Sequence, residues 1–179
     1  MAEKKKKGRR AYLDAFQKDE KGNYVYRGEL YVWQDEEKKL KQELIRLWGL
    51  CILMLVSLAA AGCVEAPGAV NCAYVLIPYT VNFVSGISVC LGLYHLTAGG
   101  NPLRAYIYQK SVAQLPGRAV LTAVAAAACI AGELVFVFRN GMEGKTAGFA
   151  FFLLLEAAVP GTAFGIRLRV CEMCWKKNP

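Results

Sequence analysis

From Leu47 to Pro179 the chain runs 133 residues with only 14 charged side chains, and that scarcity limits its folds more than any motif does. A soluble domain has to solvate its outside, so a charge-poor stretch of this length points to lipid. The stretch divides into four apolar spans. Residues 47–64 and 69–96 carry no charge, whereas 119–138 carry only Glu133 and 146–166 only Glu156. A helix needs about 20 apolar residues to cross the hydrocarbon core, within a range that all four spans reach. Four buried helices of a large soluble protein would read alike, but so short a chain has nothing left to cover them. The expected fold class is an all-α membrane protein with four transmembrane helices, formed by residues 35–179. Residues 1–34 precede it as a basic tail and an aromatic, strand-like segment.

The loops fix the expected orientation. Thirteen of the 22 Lys and Arg precede Leu47, three more (Arg104, Lys110, Arg118) lie in 97–118, and Arg167, Arg169, Lys176 and Lys177 follow the last span. With the N-terminus inside, only Arg139 and Lys145 are outside, which is the bias of the positive-inside rule. Both termini are therefore expected in the cytoplasm, with the chain multi-pass in the cell membrane.

The N-terminal segment has two parts. MAEKKKKGRR, residues 1–10, buries nothing and repels itself, so it reads as a solvated tail. Its main expected role is as a topology signal, with anionic lipid as a partner and nucleic acid set aside, because each Lys or Arg near an anionic surface adds about 1 kcal/mol. YLDAFQKDEKGNYVYRGELYVW then places two aromatic stretches around a polar turn containing Gly22 and Asn23. Tyr24, Tyr26, Gly28 and Leu30 alternate against Val25, Arg27 and Glu29, which predicts one strand over Tyr24–Trp33 in a small β-hairpin. A lone hairpin is marginal in water, so it needs a surface to pack on. QDEEKKLKQELIRLW follows, with acidic residues first and lysines after them, the order a helix dipole favours. No breaker separates it from the first span, which predicts one helix over Asp35–Cys63, about 44 Å long.

LVSLAAAGC, ending at Cys63, resembles the end of a lipoprotein signal. The 46 residues ahead of the apolar run are too long for a signal's basic head, and Ala60 stands where such a signal carries Leu. Cys63 is expected to end a retained helix. At the other end of the second span, Gly99, Gly100, Asn101 and Pro102 make a strong break. Leu103, Tyr106 and Ile107 suit a short interfacial helix, which Pro116 and Gly117 are expected to break before the third span.

Glu133 and Glu156 are the side chains on which chemistry would rest. An ionised group at the bilayer centre costs a few kcal/mol, so an intramembrane carboxylate is a functional candidate. Counting rise from the outer flanks puts Glu133 about 9 Å in from Arg139 and Glu156 about 16 Å in from Lys145. The short loop RNGMEGK makes the third and fourth spans antiparallel neighbours. The two carboxylates and the polar Asn82 and Ser85 then form a candidate proton- or cation-binding site in one cavity. The plainer expectation is a neutral Glu bonding across helices for packing alone.

Seven cysteines invite a redox reading. Cys171 and Cys174 have the C-x-x-C spacing of a redox dithiol or half a zinc site. No second pair lies near, and His95 is the only histidine, so no metal site is expected. Cys63 and Cys72 flank a short outer loop, where a disulfide would form in an oxidising compartment. Gly161 and Gly165 make a G-x-x-x-G for helix packing, within the chain or between copies. Pro78 and Pro160 should kink their helices. No nucleotide-binding, metalloprotease or cofactor signature is present.

The reading favoured by these features is a small non-enzymatic accessory or subunit protein of a membrane complex. It would act by protein partnership or self-association through its helices, without a catalytic residue or cofactor. A carrier using Glu156 and Glu133 is the first alternative, and a membrane thiol oxidoreductase the second.

Overall fold

A computed structural model describes residues 16–18, 23–69, 72–142 and 144–178. The basic tail at 1–10 and most of the polar turn after it lie outside these residues. Four long helices carry the fold: α1 (Glu37–Cys63), α2 (Ala73–Gly99), α4 (Leu115–Asn140) and α5 (Thr146–Glu172), with the short α3 (Ala105–Lys110) between α2 and α4. All four long helices are long and apolar enough to cross a membrane, and only 33% of each one's most apolar stretch is buried by the chain itself. The rest needs hydrocarbon around it: Ile52, Val56, Ile77, Val84, Leu121, Phe151 and Leu154 all point outward. All-α membrane architecture follows from that pairing of apolar length with apolar exposure.

Sequence accounts for the helix ends. The acidic residues before Leu40 sit at the start of α1, where Glu37 occupies the first turn against the positive dipole end. The inner face of α1 then repeats at helical spacing through Leu40, Leu47, Cys51, Met54, Leu58 and Ala61. At Cys63 the helix stops, Val64 turning to extended backbone while its N–H bonds to the Ala61 carbonyl at 3.3 Å. Gly100, at φ 68°, ends α2 in a conformation that favours glycine. Pro116 and Gly117 do not act as the expected break. α4 begins at Leu115 with Pro116 in its first turn, where the missing N–H costs no hydrogen bond. Pro78 and Pro160 both lie inside helices, α2 and α5.

The four long helices form a ring in the order α1, α2, α4, α5, with α2 and α5 at opposite corners. Two glycines allow close approach. A Cβ on Gly86 of α2 would come within 2.6 Å of Leu58 of α1, and one on Gly132 of α4 within 2.7 Å of the Tyr74 carbonyl of α2. The larger core cluster runs from Trp33 and Leu40 to Val159 and Ile166. A smaller one, around Val75, Cys129 and Phe152, fills the other end.

Beside the helices stand two small sheets. β1 (Phe16–Lys18) and β2 (Tyr24–Tyr26) pair antiparallel, Phe16 opposite Tyr26. β3 (Leu30–Trp33) is the middle of a second, antiparallel sheet between β4 (Leu103–Arg104) and β5 (Trp175–Asn178). The single strand expected over Tyr24–Trp33 is thus two strands in different sheets. The chain leaves the first at Arg27–Glu29, where the Tyr26 hydroxyl donates to the Glu29 carbonyl at 3.2 Å. Alternation of side chains cannot report such a change of partner, since it reads faces and not edges. Tyr31 stacks on Tyr108 of α3 with centroids 3.9 Å apart, and Trp33 meets Trp175 edge-on at 5.4 Å. Three remote segments are therefore joined at one end of the bundle.

Candidate functional site

Glu156 and Asn82 sit fully buried at the centre of the ring. Asn82 Nδ2 donates to Glu156 Oε2 at 2.8 Å, joining α2 to α5 across the diagonal. Two hydroxyls extend the contact. Ser85 Oγ donates to the backbone carbonyl of Asn82 at 2.9 Å, and Thr122 Oγ1 of α4 donates to Ser85 Oγ at 3.0 Å. Oε1 of Glu156 and Oδ1 of Asn82 have no protein partner. Glu156, Asn82 and Ser85 thus lie in one polar cluster. Thr122 completes it and was not singled out by sequence, because it lies in the small-residue run LTAVAAAACIAG.

Glu133 does something else. Its Oε1 accepts the backbone N–H of Gly68 at 3.0 Å, fixing the loop between α1 and α2. A Cβ on Gly68 would lie 2.6 Å from Glu133 Oε2 and 2.9 Å from Phe136, so only glycine fits there without displacement. The nearby cavity, about 290 Å³, is lined by Ala61, Val64, Val75, Leu76, Tyr79 and Phe152 among others, and by neither carboxylate. The two carboxylates thus have separate partners, one across the ring and one in a loop.

Two of the thiols meet, Cys51 of α1 and Cys90 of α2, which share a side-chain hydrogen bond. All seven are free; Cys63, Cys171 and Cys174 are exposed, and Cys72 is buried. Cys171 lies in the last turn of α5, and Cys174 donates to the Glu172 carbonyl at 3.6 Å just before β5. Among the described residues no three His, Cys, Asp or Glu are grouped to hold a metal. The glycine pair is divided as well. Gly165 packs against Leu50 of α1, whereas a Cβ on Gly161 would meet nothing within 4 Å.

At the sheet-bearing end, Glu43 of α1 accepts from Arg46 at 2.6 Å and from Arg169 of α5 at 2.9 Å. Partial burial raises this carboxyl, but hydrogen bonds and charge from Arg169 and Arg46 outweigh it and hold the group below its ordinary range. Lys177 of β5 pairs with Glu29 just ahead of β3, and that hydrogen bond raises its ammonium.

Four apolar helices around a small buried polar cluster define a small multi-pass membrane protein. No protein-family model matches the chain, and no curated protein or solved structure matches it either.

Proposed function

We propose that the chain is a non-enzymatic accessory or subunit protein of a membrane complex, held in the cell membrane with both termini in the cytoplasm. What supports this over transport is the separation of the two carboxylates. A carrier is expected to gather its intramembrane charges around one polar cavity. Here Glu133 fastens a loop through Gly68 and Glu156 fastens α5 to α2 through Asn82. Contacts with a partner would then fall to the sheet-end head, where Tyr24 is 70% and Val25 45% exposed on β2, and to the lipid-facing helix faces. The basic tail adds attraction to anionic lipid.

A proton- or cation-coupled carrier is the second reading. Its support is the pair of unpartnered oxygens, Glu156 Oε1 and Asn82 Oδ1, at the bundle centre. The thiol oxidoreductase reading rests only on exposure of Cys171 and Cys174.

The test is extraction of the full chain from its native membrane in mild detergent, beside a Tyr24→Ser, Val25→Ser double variant. The reading expects a stoichiometric partner with the wild type and its loss with the variant, while the melting temperature stays put. A chain recovered alone that drives solute flux in proteoliposomes would overturn the reading in favour of the carrier.

A further inference from the structure

Between α2 and α4, on the lipid side, lies a trough of about 350 Å³ lined by Thr80, Val81, Val84 and Ser88 of α2 and by Leu121 and Arg118 of α4. Val81, Val84 and Leu121 present apolar walls to the bilayer, exposed by 43, 61 and 53%. Thr80 to Ser88 covers eight residues of helix rise, about 12 Å along the membrane normal. At its sheet-bearing end the trough meets a cation. Arg118 is half-buried three residues into α4, so it lies where the hydrocarbon gives way to headgroups.

Arg118 is held in place and its charge is unmatched. Its Nη1 donates to the Ser88 carbonyl at 2.9 Å and its Nη2 to Gln114 Oε1 at 2.7 Å. The guanidinium also lies against Gly92, whose absent side chain leaves it room: a Cβ there would stand 3.4 Å from Nη1. Both hydrogen-bond partners are neutral oxygens. None of the ion pairs among the described residues includes Arg118. A guanidinium carries five N–H donors in a planar fork, so donors remain for an oxyanion. The fork matches phosphate geometry.

We infer that this trough is a binding site for an anionic phospholipid, whose acyl chain lies along Val81, Val84 and Leu121 and whose phosphate meets Arg118. An apolar trough open sideways to the bilayer suits a lipid chain. A soluble anion would gain the arginine and leave those walls uncovered.

The full chain in detergent, titrated with a short-chain phosphatidylglycerol or with phosphatidylcholine of equal chain length, gives the test, with bound lipid counted by native mass spectrometry. Wild type should prefer phosphatidylglycerol, and Arg118→Gln should lower that preference about tenfold, the cost of losing charge-assisted hydrogen bonds. Arg167→Gln, which removes a cation at the same end from the α4–α5 side, should leave the preference largely intact. Should the Arg118 variant fold poorly, Val84→Trp fills the trough from its exposed wall, leaves Arg118 in place, and should weaken binding of both lipids. Inorganic phosphate at equal concentration should not compete. Equal loss of preference in the Arg118 and Arg167 variants, or competition by inorganic phosphate, would overturn the assignment, as would undiminished binding in Val84→Trp.

Discussion

At the scale of single residues, the intramembrane polar groups act as ties between elements. Asn82 and Glu156 share one bond across the ring. Glu156→Gln keeps an acceptor for Asn82 Nδ2, so its melting temperature in detergent should match wild type. Glu156→Ala strands a buried amide donor and should cost about 1–3 kcal/mol of stability, read as a clear fall in that temperature. An equal, large loss in both variants would mean that the bond does not account for the contribution. The accessory reading also expects Glu156→Gln to leave the cellular phenotype unchanged. Gly68 supports a second prediction. Gly68→Ala drives a methyl group against Glu133 and Phe136, so the loop ahead of α2 must shift. Cys72, 8% exposed at the edge of that loop, should then react faster with a maleimide, while the exposed Cys63 reacts as before. An unchanged Cys72 rate would show that the loop absorbs the methyl group. The sequence marks Glu133 as a residue that lipid burial makes costly, but it cannot reveal Gly68 as the partner. A bond to a backbone N–H 65 positions away leaves no side-chain signature.

At the scale of elements, the legible parts were those with a period or a length. Apolar runs mark the four long helices, because a lipid-spanning helix must be apolar along about 20 residues. The strands were harder to read. β5 is Trp-Lys-Lys-Asn, with no apolar alternation to mark it, and it reads as the ordinary basic end of a membrane helix. It is a strand because Tyr31, Val32 and Trp33 offer a backbone edge and Trp33 packs on Trp175. An edge-on aromatic pair adds about 0.5–1.5 kcal/mol beyond burial. Trp175→Ala should therefore loosen the second sheet and leave the helical far-ultraviolet signal unchanged. Faster amide exchange at Tyr31–Trp33 would register it, and unaltered exchange there would remove the pair from the account. The Glu43 link between α1 and α5 makes a pH-dependent contribution of known sign. Its folded pKa lies below the ordinary 4.5, so the contribution is complete above that value and disappears as acidification carries the pH through the folded one. Glu43→Gln should flatten this acid limb of the stability profile. Since the three side chains are 25–55% exposed, the effect should be small and weaken with salt.

For the whole molecule, the second sheet constrains topology independently of charge. β3, β4 and β5 come from before α1, between α2 and α4, and after α5. Strands that hydrogen-bond to one another must lie on one side of the bilayer, so α1 with α2, and α4 with α5, must each cross and return. Four crossings satisfy this, and three or five do not. Which side the sheet occupies is a separate matter, and there the proposed cytoplasmic side rests on the basic residues. Among the described residues, 13 of the 15 Lys and Arg lie toward the sheet's side, leaving Arg139 and Lys145 opposite. Moving the sheet outside would invert the positive-inside bias almost completely. Reporter fusions at Gly100 and at the C-terminus should accordingly read cytoplasmic, and those at Pro67 and Gly141 external. Like readings at Gly100 and the C-terminus with the cytoplasm excluded would keep the sheet and reverse the orientation. Unlike readings at those two sites would break the sheet itself, and with it the head on which partner binding is proposed to depend.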